Sequence, residues 1–241
     1  VFHLAALVGI PYSYLSPLAY IRTNIEGTFN VLESAKELKT ENILITSTSE
    51  TYGTAQSVPI REDHPLVGQS PYSASKIAAD QLALSYHMSF DLPVKIIRPF
   101  NTYGPRQSAR AIIPTIISQV LNGARSVELG NLSPTRDLTY VEDTCNAFYE
   151  IYKVKKLFGD VVNIGMNEEI SIKDLVKKIG DLFNQQIKIK VNDDRTRPKN
   201  SEVDRLRSDN NKLLNNTDWI PKYSLDQGLL KVIKWMKQSS N

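Results

Sequence analysis

Short apolar runs alternate along the chain with longer segments whose apolar residues recur at helical spacing. Val1 to Ala6 opens as a strand running into two small residues. Asn42-Ile43-Leu44-Ile45-Thr46, Pro93 to Ile97, Ser126 to Leu129 and Val161 to Gly165 read as further strands, with Gln186 to Val191 as an edge strand. Between them, Leu18 to Leu38, Pro71 to about His87, Ala109 to Asn122 and Ser171 to Phe183 are predicted helices. A last helix follows the Trp219-Ile220-Pro221 turn. Ser70 and Pro71 suit the N-cap and N1 positions of their helix, and Ser171 suits the N-cap of another. Leu7 to Pro17 and Ala55 to Gln69 are predicted loops. The second, with Arg61, Glu62 and Asp63, reads as a solvated surface loop. The pattern is of the α/β class, whose open sheets place their chemistry at the carboxyl ends of the strands.

That rule points to the stretch from Thr46 to Lys76. The strand ending at Thr46 leads into Ser47-Thr48-Ser49-Glu50-Thr51-Tyr52-Gly53, and the next helix carries Tyr72 and Lys76 four residues apart, on one face. A phenol with a pKa of about 10 is a poor base at neutral pH. An ammonium one turn away favours the phenolate, which can take a proton from a substrate alcohol while hydride leaves the same carbon. The Thr48 hydroxyl can hold that alcohol, and Glu50 adds a second acid–base group. A Tyr-x-x-x-Lys spacing alone is a weak signal, because any surface helix can show it. Its weight comes from the ordered set of motifs around it.

Thr48, Tyr72 and Lys76 resemble the Ser/Thr–Tyr–Lys set of the extended short-chain dehydrogenase/reductases, the family of nucleotide-sugar epimerases and dehydratases. His3-Leu4-Ala5-Ala6, Arg98-Pro99-Phe100-Asn101-Thr102-Tyr103-Gly104-Pro105 and Arg136-Asp137-Leu138-Thr139-Tyr140-Val141-Glu142-Asp143 each resemble a family motif. The resemblance implies a Rossmann-like parallel sheet, with a smaller α+β substrate lobe at the C-terminal side. Residues 1–105, with 137–165 returning to the sheet, would belong to the NAD-binding part. Residues 106–136 and 166–241 would form the lobe. It further implies NAD contacts at Leu4, Ala5, Ala6, Thr46, Tyr72, Lys76, Pro99 and Phe100. Substrate contacts would fall at Tyr12, Asn101, Arg110, Arg136 and Arg197. A guanidinium such as Arg136 suits phosphate oxygens by its bidentate fork. Asn24 is read as structural and His3 as a packed histidine. The helices over 18–38 and 71–88 resemble the family's dimer-forming pair, so a homodimer is expected.

Within this family the residues after Thr48 sort the reactions. Epimerases resemble Ser-Ser-x-x-Val-Tyr-Gly, with no carboxylate in the turn, whereas this chain has Thr48-Ser49-Glu50. A carboxylate there suits 4,6-dehydration of a nucleotide-activated hexose. Oxidation at C4 acidifies the C5 proton, Glu50 removes it, water leaves from C6 and the hydride returns to C6. Ser49 stands where glucose-type dehydratases place an Asp, as in the GDP-mannose type, which leaves the acid for the departing hydroxyl open. Gly9 to Ser13, Thr46 to Gly53 and Gly104 to Pro114 are most like the 4,6-dehydratases of nucleotide-activated N-acetylglucosamine in legionaminic acid synthesis. UDP-glucuronate decarboxylases also resemble Thr-Ser-Glu but begin the helix differently from Tyr72-Ser-Ala-Ser-Lys76. A 4-epimerase and a non-catalytic nucleotide-sugar-binding fragment are the remaining alternatives.

Composition narrows the partners. The 41% hydrophobic and 23% charged content is ordinary for a globular protein, and the net charge of +3 is dispersed, which argues against nucleic acid. The single Cys145 suits a reducing compartment, here the cytoplasm, and no apolar run approaches the roughly 20 residues of a membrane helix. His3, His64 and His87 are scattered, so no metal is expected. The 11 glycines contain no Gly-x-Gly-x-x-Gly pattern to admit a pyrophosphate to a helix N-terminus. The resemblance begins at the family's fourth strand, and an amino-terminally truncated enzyme is therefore expected.

Overall fold

The computed structural model describes residues 1–192 and 198–239. Strand β1 (Phe2–His3) is followed by helices α1 (Ile10–Leu15) and α2 (Pro17–Tyr20), a wider π-helical turn (Ile21–Glu26) and α3 (Gly27–Glu37). Next come β2 (Ile43–Thr46), a 3₁₀ turn (Ser49–Tyr52), the long α4 (Pro71–Phe90), β3 (Val94–Pro99) and β4 (Asn101–Tyr103). The middle of the chain holds α5 (Ile112–Leu121), β5 (Ser126–Leu129), β6 (Thr135–Arg136), β7 (Leu138–Tyr140) and α6 (Val141–Lys153). It ends with β8 (Val161–Ile164), β9 (Ile170–Ser171), α7 (Ile172–Leu182), β10 (Lys188–Val191), α8 (Asn211–Asn216) and α9 (Leu225–Ser239).

Four strands form one parallel sheet in the order β1-β2-β3-β8, with Ile45 beside both His3 and Ile96. A parallel sheet is covered on both faces, which explains the unbroken apolar run Ile43-Leu44-Ile45. Successive side chains point to opposite faces. Ile43, Ile45, Val94 and Ile96 pack against Leu32 and Ala35 of α3 and Ala83 and Tyr86 of α4. On the other face Leu44, Ile97 and Val162 meet Ala147, Phe148 and Ile151 of α6 and the buried Trp219. A separate core joins α5, α7 and α9 to the two-stranded β5–β10 sheet through Ile116, Val127, Val176 and Leu229. Among the described residues no helix is long and apolar enough to cross a membrane.

Three expectations are corrected. The opening strand is only Phe2–His3, and the chain then leaves the sheet. Leu7 to Pro17 is not all loop, because Ile10–Leu15 is helical. Pro11 falls in its first turn, where a missing N–H leaves no helical bond unmade. The stretch from Ala55 to Gln69 is not a solvated loop. Ile60 is fully buried, its N–H donates to Arg207 O at 2.7 Å, and its carbonyl accepts from Asp209 N at 2.8 Å.

Candidate active site

At the carboxyl end of β2 the backbone turns at once into the 3₁₀ segment. Thr48 is its N-cap, its hydroxyl accepting from Glu50 N at 3.2 Å. Gly53 closes the turn at φ +64, where its N–H donates to Glu50 O, and a Cβ there would collide with Gln69. The facing helix starts at a sharply specified point. Ser73 N donates to Ser70 Oγ at 3.1 Å, Ser70 N donates to Ser73 Oγ at 3.0 Å, and Pro71 occupies the first turn. Tyr72 therefore sits at the helix mouth and Lys76 one turn further in.

These elements bring Thr48, Glu50, Tyr72 and Lys76 together, each at most 9% exposed. The Lys76 ammonium donates to Thr46 O at 2.5 Å. The Tyr72 ring stands edge-on to Tyr20 at 6.2 Å, and its phenol lies beside the Thr48 hydroxyl. Burial pushes the Tyr72 phenol well above its ordinary value; the Thr48 hydroxyl lowers it, while the Glu50 and Asp80 charges raise it further. Burial also lowers the Lys76 ammonium, against the attraction of Asp80. The expected lowering of the phenol by Lys76 is thus overridden in the resting site, because desolvation disfavours the phenolate more than its surroundings favour it. Ser49 is buried in the same turn.

The remaining expected residues are distributed unevenly. Leu4, Ala5 and Ala6 follow β1 at the same sheet edge, Leu4 largely exposed. Pro99 ends β3, but the Phe100 ring turns into a small core with Tyr52, Ile60, Val203 and Leu206. Asn101 opens β4, and Tyr12 is exposed on α1. Arg110 is exposed in the turn before α5, whose first residue is Ile112 rather than Ala109. Arg136 is buried, donating to Thr135 O at 2.9 Å and facing Glu202 Oε1 at 3.5 Å. Arg197 lies outside the described residues. Asn24 sits in the π-helical turn and clamps the Leu7 backbone, accepting from its N–H at 2.8 Å and donating to its carbonyl at 3.0 Å. His3 is buried with Nε2 3.2 Å from the Thr28 hydroxyl.

Behind the site lies a network that inspection of the sequence missed. Asp80 Oδ2 accepts from Ser47 Oγ at 2.7 Å and from Arg98 Nη2 at 2.9 Å, and Arg98 Nη1 donates to Tyr52 OH at 3.1 Å. The signal was present: Asp80 follows Lys76 by one more helical turn, and Ser47 precedes Thr48.

Two buried polar atoms near the strand ends, Thr46 Oγ1 and Asn101 Oδ1, have no hydrogen-bond partner among the described residues. Such atoms are satisfied by ligands or water. With Tyr72, Lys76 and the open backbone of Leu4 to Ala6, the Thr46 hydroxyl fits the nicotinamide–ribose half of a dinucleotide. Among the described residues no group of three or more His, Cys, Asp or Glu could hold a metal ion.

The family model described as GDP-mannose 4,6 dehydratase matches residues 1–232. The dTDP-D-glucose 4,6-dehydratase of Dictyostelium discoideum is 37% identical over 190 residues, 74% of this chain and 44% of that protein. This chain thus spans less than half of that relative's length. The UDP-N-acetyl-alpha-D-glucosaminuronate decarboxylase of Bacillus cytotoxicus is 32% identical over 251 residues, 100% of this chain and 77% of that protein. The structure of UDP-glucuronic acid 4-epimerase from Bacillus cereus, in complex with UDP-glucuronic acid and NAD, superposes with a TM-score of 0.91 at 29% identity, covering 98% of this chain and 74% of that one. Sheet, site and sequence together make this chain a member of the GDP-mannose 4,6-dehydratase family, within the extended short-chain dehydrogenase/reductases.

Proposed function

We propose that this chain carries the reactive centre of an NAD-dependent nucleotide-sugar 4,6-dehydratase. The observation that carries the reading is the burial of a carboxylate, Glu50, beside the neighbouring Thr48 and Tyr72 hydroxyls. Bound NAD would supply the hydride acceptor at C4, the donor to C6 and a positive charge near the phenol. Thr48 orients the C4 hydroxyl and Tyr72 takes its proton. Glu50 removes the proton at C5, which the C4 ketone makes acidic, and the same carboxyl can protonate the departing C6 hydroxyl so that water leaves. The proton that Tyr72 took from the C4 hydroxyl balances the one C5 regains when hydride adds at C6. Arg136 and Asn101 hold the nucleotide phosphates, with Tyr12 and Arg110 at the sugar and nucleotide walls. In this reading the sheet over 1–105 and 137–165 holds NAD, and 106–136 with 166–241 holds the substrate. An N-acetylhexosamine nucleotide is the favoured substrate. A homodimer through helices 18–38 and 71–88 and a cytoplasmic setting accompany it.

The identity to the decarboxylase over the whole chain keeps one rival in view. Both reactions begin with oxidation at C4, and they part at the group lost. Mass spectrometry of GDP- and UDP-linked N-acetylglucosamine, GDP-mannose and UDP-glucuronate incubated with the chain and NAD separates them. Loss of one water from one hexose would establish the dehydratase and name its substrate. Loss of carbon dioxide would establish the decarboxylase, an isomer of unchanged mass the epimerase, and an unaltered panel would remove the catalytic reading of this chain.

A further inference from the structure

Tyr72, Lys76 and Asp80 occupy successive turns on one face of α4. The proposed chemistry uses the first two and leaves the third unexplained. Asp80 is fully buried. Among the described residues its Oδ2 takes all three of its hydrogen bonds, from Ser47 Oγ at 2.7 Å and from Arg98 Nε and Nη2 at 3.1 and 2.9 Å. Its Oδ1 is buried with no hydrogen-bond partner among the described residues. Burying an ion pair contributes little net stability, and leaving one carboxylate oxygen bare in the interior costs more. The arrangement therefore calls for a purpose other than holding the fold. Two neighbours suggest it. Ser47 is joined directly to Thr48, and Lys76 is the next charge along the helix toward Tyr72.

We propose that Asp80 is a positioning residue for the proton-handling pair. It keeps Lys76 charged in a buried place and, through Ser47, fixes the strand end that carries Thr48. The inference rests on the reading of Tyr72 and Lys76 as that pair. Burial drives the Lys76 ammonium toward its neutral form, and Asp80 is the charge that opposes this. The other titratable or charged groups facing this cluster are His3 from β1, Glu50 from the 3₁₀ turn, Tyr20 from α2 and Arg98 from β3. His3 and Lys76 disfavour each other's charge, and Arg98 is neutralised by Asp80 itself. Asp80 is thus the anion placed to hold Lys76 as an ammonium.

The test is a pH titration of Lys76 by NMR of the chain labelled at the lysine ε-carbons, with Lys76→Met identifying the resonance. In Asp80→Asn the midpoint is expected to fall by at least about one pH unit, the usual effect of removing an opposite charge close by. Asp80→Glu, which keeps the charge, returns it toward the starting value. Ser47→Ala leaves it in place. Asp80→Asn leaves Arg98 buried without its partner and could unfold the chain, so Asp80→Asn with Arg98→Gln is also titrated against Arg98→Gln alone, a comparison that removes only the carboxylate, with a downward shift between the two expected. A midpoint that stays put in either folded variant overturns the proposal. The readout involves no turnover. A shifted midpoint beside an unreactive nucleotide-sugar panel would refute the dehydratase and leave the Asp80–Lys76 coupling standing.

Discussion

Two hydroxyl groups and a carboxylate meet at the end of β2, and their order along the proposed reaction can be separated one residue at a time. Glu50 is buried in the 3₁₀ turn, and its charge raises the Tyr72 phenol. If Tyr72 and Thr48 serve oxidation at C4 while Glu50 serves the loss of water, Glu50→Gln keeps the first step and stops the second. The amide has nearly the same shape and cannot accept the C5 proton. The variant is expected to lose water from substrate about 10² to 10⁴ times more slowly, the range of a general base. It should still form a 4-keto sugar of the original carbon chain, trapped by borodeuteride as deuterium at C4. Dehydration at the original rate would place the C5 base elsewhere. Removing the Glu50 charge also lowers the phenol toward the range in which it can accept a proton, so the oxidation step should not slow.

At the scale of elements, what could be read in the sequence was what is local. Ser70 and Pro71 announce the start of α4, and the structure begins the helix there with both capping bonds made. The apolar run of β2 announces a strand covered on both faces, as it is. What escaped depends on partners far along the chain. Nothing near Glu62 shows that its carboxylate will accept from Asn163 N, 101 positions away. Lys95 is a further case. It lies in the middle of β3, fully buried, where its ammonium donates to the carbonyls of Ile151 and Tyr152 at 2.8 and 2.9 Å and sits over the Phe158 ring. The charge thus caps the end of α6 and ties that helix to the sheet. Burial lowers it from 10.5 to about 8. Between those two values the unfolded chain binds a proton that the folded chain does not, so this group's contribution to stability rises with pH across that window. Denaturant unfolding of the parent and Lys95→Met should diverge there, the parent gaining on the order of 2 kcal/mol on the variant after allowance for screening. Parallel curves would show that the ammonium titrates alike folded and unfolded.

The whole molecule is held across the site by side chains near the start of α4. Gln69 precedes the cap of that helix. Its Oε1 accepts from Thr54 N at 2.5 Å, and its Nε2 donates to Asn200 O at 3.2 Å and Glu202 O at 3.1 Å. Ser201 donates to the Gln69 carbonyl at 2.5 Å and lies 2.6 Å from the Tyr14 hydroxyl of α1. Glu202 then faces Arg136. One amide therefore links the end of the 3₁₀ turn, the late segment after residue 198 and the guanidinium proposed to meet phosphate. The strand-like run continues as Asp204 N donates to Thr54 Oγ1 and Asp209 N to Ile60 O. Gln69→Ala removes the amide's three bonds while leaving the sheet and its two cores untouched. Each lost bond of this kind costs about 1 kcal/mol. Hydrogen exchange should then show the amides of Thr54 and Asp204 losing protection at least about tenfold, while Ile96 in β3 keeps its own. Exchange that quickens equally everywhere would mean the link stabilises the entire fold. Exchange that changes nowhere would mean that the segment after residue 198 is held by its backbone ladder with Thr54 to Ile60 alone.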